Sequence, residues 1–256
     1  MKKQKYDYLF SIGQACRPAH NIERFGLRQN ASPLDWMMGD DLSTVIHLFK
    51  TGVEDFFLNV KEIPEEKGIH NKYVVDTKNG IISIHHFANQ KNLEIEQQSF
   101  RKTMLNRYAK VRNFINSSKH VGIICNRDSS LKELEDFLIN FSNLFSNIEF
   151  TIINIKDTPV NDINHEEIVI NSKLSIIQYT FNDTNCDGPD KNTNPNYWIG
   201  NQKNWDKVFS NIWSTSNEIN MISHKKRAYI ALHTVSTHLA PFGSRRRNID
   251  IKLLHK

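Results

Sequence analysis

From Glu94 to Phe181 the chain alternates amphipathic helical stretches with short apolar runs, and this alternation limits the fold more than any other feature. Phe100, Met104, Tyr108, Val111 and Ile115 recur at helical spacing, and Val121 to Cys125 then reads as a buried strand. Ser130 and Glu133 form a capping-box pair ahead of Leu134, Phe137, Leu138 and Phe141, which predicts a second helix. Ile148 to Ile155 and Leu174 to Phe181 supply two further strands. Strands with no polar face need cover on both sides, so the spacing predicts an α/β fold, a mostly parallel or mixed sheet flanked by helices.

Upstream, Asp40 or Asp41 can cap a helix carrying Leu42, Val45, Ile46, Phe49, Val53, Phe56 and Phe57. Residues 59 to 72, polar and holding Pro64 and Gly68, are expected to form a loop. Asn79-Gly80 between Tyr73 to Asp76 and Ile81 to Phe87 predicts a hairpin. Downstream, Asn182 to Asn196 reads as a long polar loop, and Trp198 to Trp213 as a helix packing Trp205, Val208, Phe209, Ile212 and Trp213 into the core. The 256 residues can bury a full core, and we expect one domain over 1–215 with a C-terminal helix and basic tail, 216–256, packed on it.

The first chemistry-bearing unit is Tyr6 to Arg28. Tyr8, Leu9, Phe10 and Ile12 read as a strand, Gly13 permits a tight exit, and Pro18 suits the first turn of a helix. Cys16 then sits at a strand-to-helix turn, where unpaired N–H groups and the positive end of the helix dipole favour thiolate. The three cysteines, Cys16, Cys125 and Cys186, are far apart and form no CxxC pair, which argues against a disulfide framework or a thiolate zinc site. Adjacent histidines on a strand point apart and no HExxH spacing occurs, so no metal or tightly bound cofactor is expected.

Ligands of parallel sheets bind beyond the carboxyl ends of the strands. Cys16 follows the first strand, His85-His86 close the hairpin, and Asn126-Arg127-Asp128 follow the strand ending at Cys125. Of the two histidines, one should face the sheet packing and the other the crevice. His86, nearer the strand end, is assigned to the crevice. The predicted catalytic set is therefore Cys16 as nucleophile, His86 as proton shuttle and Asn126 as the group orienting the imidazole, with Asp128 a second candidate for that place. The side chain of Gln14, or the N–H groups near Ala15 and Cys16, are candidate oxyanion donors. Asp35, Trp36, His85 and Arg127 are expected to support them. A thiolate attacking an acyl carbon, a histidine moving the proton and donors holding the oxyanion together make an acyl-transfer centre.

The net charge of +5 and a pI near 9.0 permit an anionic partner. Its late basic runs, His224 to Arg227 and Ser244 to Arg247, accompany no nucleic-acid motif, so nucleic acid is not expected. Peripheral contact with a membrane surface fits the same charge. No apolar run approaches the length of a membrane span and no secretory leader is recognised, which together with the cysteine usage points to a cytoplasmic protein.

The string SIGQACRPAHNIERFGLRQNASPLDWMM resembles the opening of a family of bacterial proteins named putative papain-like cysteine peptidases. Its Ser-x-Pro-Phe-Asp-Trp motif corresponds to Ala31-Ser32-Pro33-Leu34-Asp35-Trp36, with Leu34 in place of Phe. The resemblance implies a Cys16 nucleophile with a histidine at His85 or His86, on a fold for which a papain-like topology is one form. These proteins are also similar to cysteine enzymes of surface-polysaccharide gene clusters. That likeness implies an acyltransferase of capsule or O-antigen synthesis, with a coenzyme A thioester as co-substrate and a sugar as acceptor. A cysteine peptidase or hydrolase with the same residues is the alternative, and a non-catalytic module binding a nucleotide-sugar or anionic glycan is a third.

Overall fold

In the computed structural model the described residues are 4–67, 70–189 and 193–214; the expected C-terminal helix and basic tail lie outside them. The chain runs β1 (Gln4–Tyr6), β2 (Tyr8–Ser11), α1 (Cys16–Arg24), β3 (Met37–Met38), α2 (Leu42–Thr51), β4 (Val60–Lys67), β5 (Asn71–Asp76) and β6 (Ile82–Ala88). It continues through α3 (Leu93–Asn116), β7 (His120–Asn126), α4 (Leu131–Ser142), β8 (Glu149–Asp157), β9 (Asn164–Asn171) and β10 (Leu174–Phe181). A 3-10 turn at Tyr197–Ile199, α5 (Gln202–Phe209) and β11 (Ile212–Ser214) complete it.

The apolar runs form the predicted mostly parallel sheet, in the order β2-β7-β8-β10-β9, with only the edge strand β9 antiparallel. Successive residues along a strand face opposite sides, and here both sides are apolar. Tyr8, Phe10, Ile123 and Ile152 enter one core with residues of α2, α3 and α4, while Leu9, Ile124, Ile153 and Ile177 enter a second with Ile22 of α1 and Trp205 of α5. Gly122 lets β2 and β7 close up: a Cβ there would run into Leu9 Cδ1 and the Tyr6 ring. Gly122→Ala is expected to cost about 1–3 kcal/mol through overpacking, read as a lower denaturant midpoint at unchanged m-value.

Local chemistry sets the element ends. Ser130 and Glu133 form the capping box at α4, and Asp41 caps α2 by accepting from Thr44 N at 2.6 Å. The α2 helix stops at Thr51, short of the predicted Phe57, because Gly52 adopts φ +70° and closes it in the left-handed conformation. Val53 and Phe57 are buried in the turn that follows. The hairpin around Asn79-Gly80 belongs to a second, antiparallel sheet, β3-β6-β5-β4. The expected loop at 59–72 contains β4, whose Pro64 is tolerated because the strand lies at the sheet edge. Trp198 stands in the 3-10 turn rather than in α5, and the helix ends at Phe209, short of the predicted Trp213, with Ile212–Ser214 forming β11 instead; Trp205 packs in the core as predicted.

Candidate active site

Cys16 is the first residue of α1, after a turn in which Gly13 (φ +84°) and Gln14 (φ +65°) are both left-handed. Its Sγ lies 3.7 Å from Nε2 of His85, on β6 of the antiparallel sheet. The two sheets thus each supply one member of the pair. The structure selects His85, where sequence reasoning selected His86. The expected alternation holds, one histidine to each side, but nearness to the strand end picks the wrong one; β6 is bulged here, since Lys72 pairs with Phe87 and Val74 with Ser83, so two steps on β5 answer four on β6. A bulge re-aims the side chains it contains. His85 is left exposed beside Cys16, whereas His86 turns inward, its Nδ1 2.9 Å from Ser83 Oγ and its ring 5.2 Å from that of Phe100. Burial, with Arg107 and His85 nearby, pushes His86 down to about 4, the state of a neutral packed histidine.

Neither residue assigned to orient the imidazole does so. Asn126 donates its amide to Ile155 O at 3.0 Å, and Asp128 pairs with Lys156 Nζ at 2.8 Å. Beside His85 lies Trp36, whose ring meets the imidazole edge-on at 5.9 Å and also meets the ring of Trp198 at 5.9 Å. Trp36 has φ +68°, an uncommon conformation for a bulky aromatic residue, which persists where its surroundings hold it.

Those surroundings explain the Ser-Pro-Leu-Asp-Trp segment. Asp35 is buried and accepts from Ser11 Oγ at the end of β2, from Arg28 Nη2 at 2.7 Å and from Ser32 N at 2.9 Å. The next residue carries the ring against His85, and Met37-Met38 pair with Ser83 and Ile82 on the histidine strand. One short segment therefore ties the nucleophile's strand to the histidine's strand. Asp35→Ala would leave Arg28 and Ser11 without this acceptor; we expect a loss of about 2–3 kcal/mol in denaturant unfolding together with reduced thiol reactivity at Cys16.

Three supporting residues were not recognised from sequence in these roles. Asp40, there a candidate helix cap, is instead buried against Arg127 and accepts from Gln14 N at 2.7 Å. Arg17 donates to Asp183 at 2.8 Å and to Trp198 O at 3.0 Å, which fixes the helix turn containing Cys16. Asp183, fully buried, also accepts from Trp205 Nε1 at 2.8 Å and Asn201 N at 2.9 Å. Among the described residues, no three His, Cys, Asp or Glu side chains gather into a group able to hold a metal ion.

The electrostatics depart from a pre-formed thiolate. Burial pushes the Cys16 thiol up to about 11, against the pull of Arg17, and partial desolvation lowers His85 although much of its surface is exposed. Both shifts favour the uncharged thiol and imidazole, contrary to the expectation of a depressed thiol. The arrangement is one in which a neutral imidazole receives the thiol proton as sulfur attacks.

Residues 7–165 match a protein family described as "Putative papain-like cysteine peptidase". The chain belongs to this family. The matched region contains Cys16, Asp35, Trp36, Asp40, His85 and Arg127, whereas Asp183 and Trp198 lie beyond it. The chain is also 24% identical over 173 residues to "Uncharacterized protein R408" of Acanthamoeba polyphaga mimivirus, covering 57% of this chain and 77% of that one. No solved structure matches significantly. The family description agrees with the hydrolase alternative rather than with glycan acylation. No helix among the described residues is long and apolar enough to cross a membrane.

Proposed function

We propose that the protein is a cysteine hydrolase acting on amide bonds through a Cys16–His85 pair. The observation that carries the reading is the 3.7 Å approach of Cys16 Sγ to His85 Nε2 at the start of a helix. As Sγ attacks the acyl carbon, His85 Nε2 takes the thiol proton, and the carbonyl π electrons move onto oxygen. The imidazolium gives that proton to the leaving amine as the C–N bond breaks, which leaves a thioester on Cys16. Water, deprotonated by the same nitrogen, cleaves the thioester and restores the thiol. Free N–H groups at the start of α1 support the oxyanion. Membership of a family described as peptidases supports amide over thioester substrates.

The pH profile follows from the neutral pair. His85 must be uncharged to accept the proton, and burial lowers its pKa. Activity is lost only as pH falls through that lowered value, so the acid limb of kcat/KM should lie below the ordinary histidine value of about 6.5. An acid limb centred above pH 7 would contradict this order of events. The substrate class is tested by incubating an unfolded polypeptide such as reduced casein with the protein and with Cys16→Ala, then sequencing new termini by mass spectrometry. Cleavage by the wild type alone is expected. Absence of cleavage alongside Cys16-dependent ester hydrolysis would remove the peptidase reading and keep the thiol chemistry.

A further inference from the structure

The turn ahead of Cys16 is held by a buried ion pair that the thiol chemistry does not itself use. Arg127 and Asp40 are almost wholly inaccessible, and they meet through Nη2 and Oδ2. Arg127 also donates to Asp40 O at 2.8 Å and to Ile12 O at 2.9 Å. Its own backbone is fixed by β8, donating to Ile155 O and to the side chain of Asn154, both at 3.1 Å. The free oxygen of Asp40 accepts from Gln14 N at 2.7 Å, and a Cβ on Gly13 would stand 2.9 Å from it. Gln14 is a non-glycine residue at φ +65°, a strained conformation that persists only where its surroundings impose it.

Resting on the thiol reading above, we infer that Asp40 and Arg127 are positioning residues for the oxyanion donors. By locking Gly13 and Gln14 they set the peptide planes that carry the N–H groups of Ala15 and Cys16. Neither N–H has an acceptor among the described residues, and no side chain caps α1. The sulfur hangs on a separate support. Helix α1 is anchored through Arg17 to Asp183 and Trp198 O, and through Ile22 to the core. Disturbing the pair should therefore misalign the donors while leaving Sγ beside His85.

Two reagents separate these roles. Iodoacetamide alkylates sulfur by displacing iodide and builds no charge on a carbonyl oxygen. Acylation by p-nitrophenyl acetate forms the Sγ–acyl bond through an oxyanion, expels nitrophenolate and passes the thiol proton through His85 to solvent. In a Cys186→Ser background, which silences the exposed thiol, Asp40→Asn should slow acylation of Cys16 at least tenfold while alkylation stays within about twofold. Arg127→Lys, which keeps the charge facing Asp40 but drops the guanidinium fork, should give the same split, with near-UV circular dichroism confirming the fold. Equal loss of both reactions, no loss of either, or unfolding of both variants would overturn the inference. Failure of the dyad reading looks different, because His85→Ala would then acylate as fast as the wild type.

Discussion

Replacing His85 by alanine is expected to lower kcat/KM by about 10²–10⁴-fold, while His86→Ala retains most of the chemistry. The two residues are neighbours in sequence, so the comparison is severe. Of the two, His85 faces Cys16, at 3.7 Å, and is the base placed to accept the thiol proton. His86 packs on Phe100 and bonds Ser83, so its loss should appear as about 1–3 kcal/mol of stability instead. Steady-state hydrolysis of an activated ester, beside chemical denaturation of the same variants, reads both effects. The opposite pattern, with His86→Ala inactive and His85→Ala active, would mean that the bulge in β6 directs the other imidazole to the sulfur.

The largest stability effect is expected at Asp183. Its carboxylate is inaccessible and serves Arg17, Trp205 Nε1 and Asn201 N together. Asp183→Ala leaves a buried indole N–H and a backbone N–H without acceptors and frees the arginine beside the nucleophile. A cost of about 3–5 kcal/mol follows, or roughly 6–20 °C in Tm for a protein of this size. Asp183→Asn keeps an acceptor for Trp205 and Asn201 and should recover part of that loss. Equal Tm values for Asp183→Ala and the wild type would show that the buried network adds nothing to the fold.

The parallel sheet was legible because its signal is repeated and local: both strand faces are apolar, and capping residues mark the helices between them. Cys16 was legible for a related reason, since Gly13 and Pro18 bracket a strand-to-helix turn. Alternation told that one of the two histidines faces the crevice but not which, because the side each takes is set by a bulged pairing that exists only once β5 and β6 meet. The roles of Asp40 and Arg127 were hidden similarly. Either of two adjacent aspartates before a helix reads as its cap, and only the return of the chain through β7 brings Arg127 to Asp40. Trp36 and Asp35 were picked out as a motif, but their work of joining the two sheets needs both sheets to be present. Segments 60–67 and 164–171 look too polar for strands, yet edge strands need bury only one face, or part of one.

The most direct test of the central claim is a competition among the three cysteines. The protein is exposed briefly at pH 7 to a substoichiometric acylating ester, and the modified residue is mapped by mass spectrometry in the wild type and in His85→Ala. Cys186 is exposed and serves as an ordinary thiol, while Cys125 is buried. The account predicts that Cys16 is acylated at least ten times faster than Cys186, despite its greater burial and raised pKa, and that this advantage disappears in His85→Ala. Faster acylation of Cys186 than of Cys16 in the wild type, or an unchanged preference for Cys16 without His85, would contradict it.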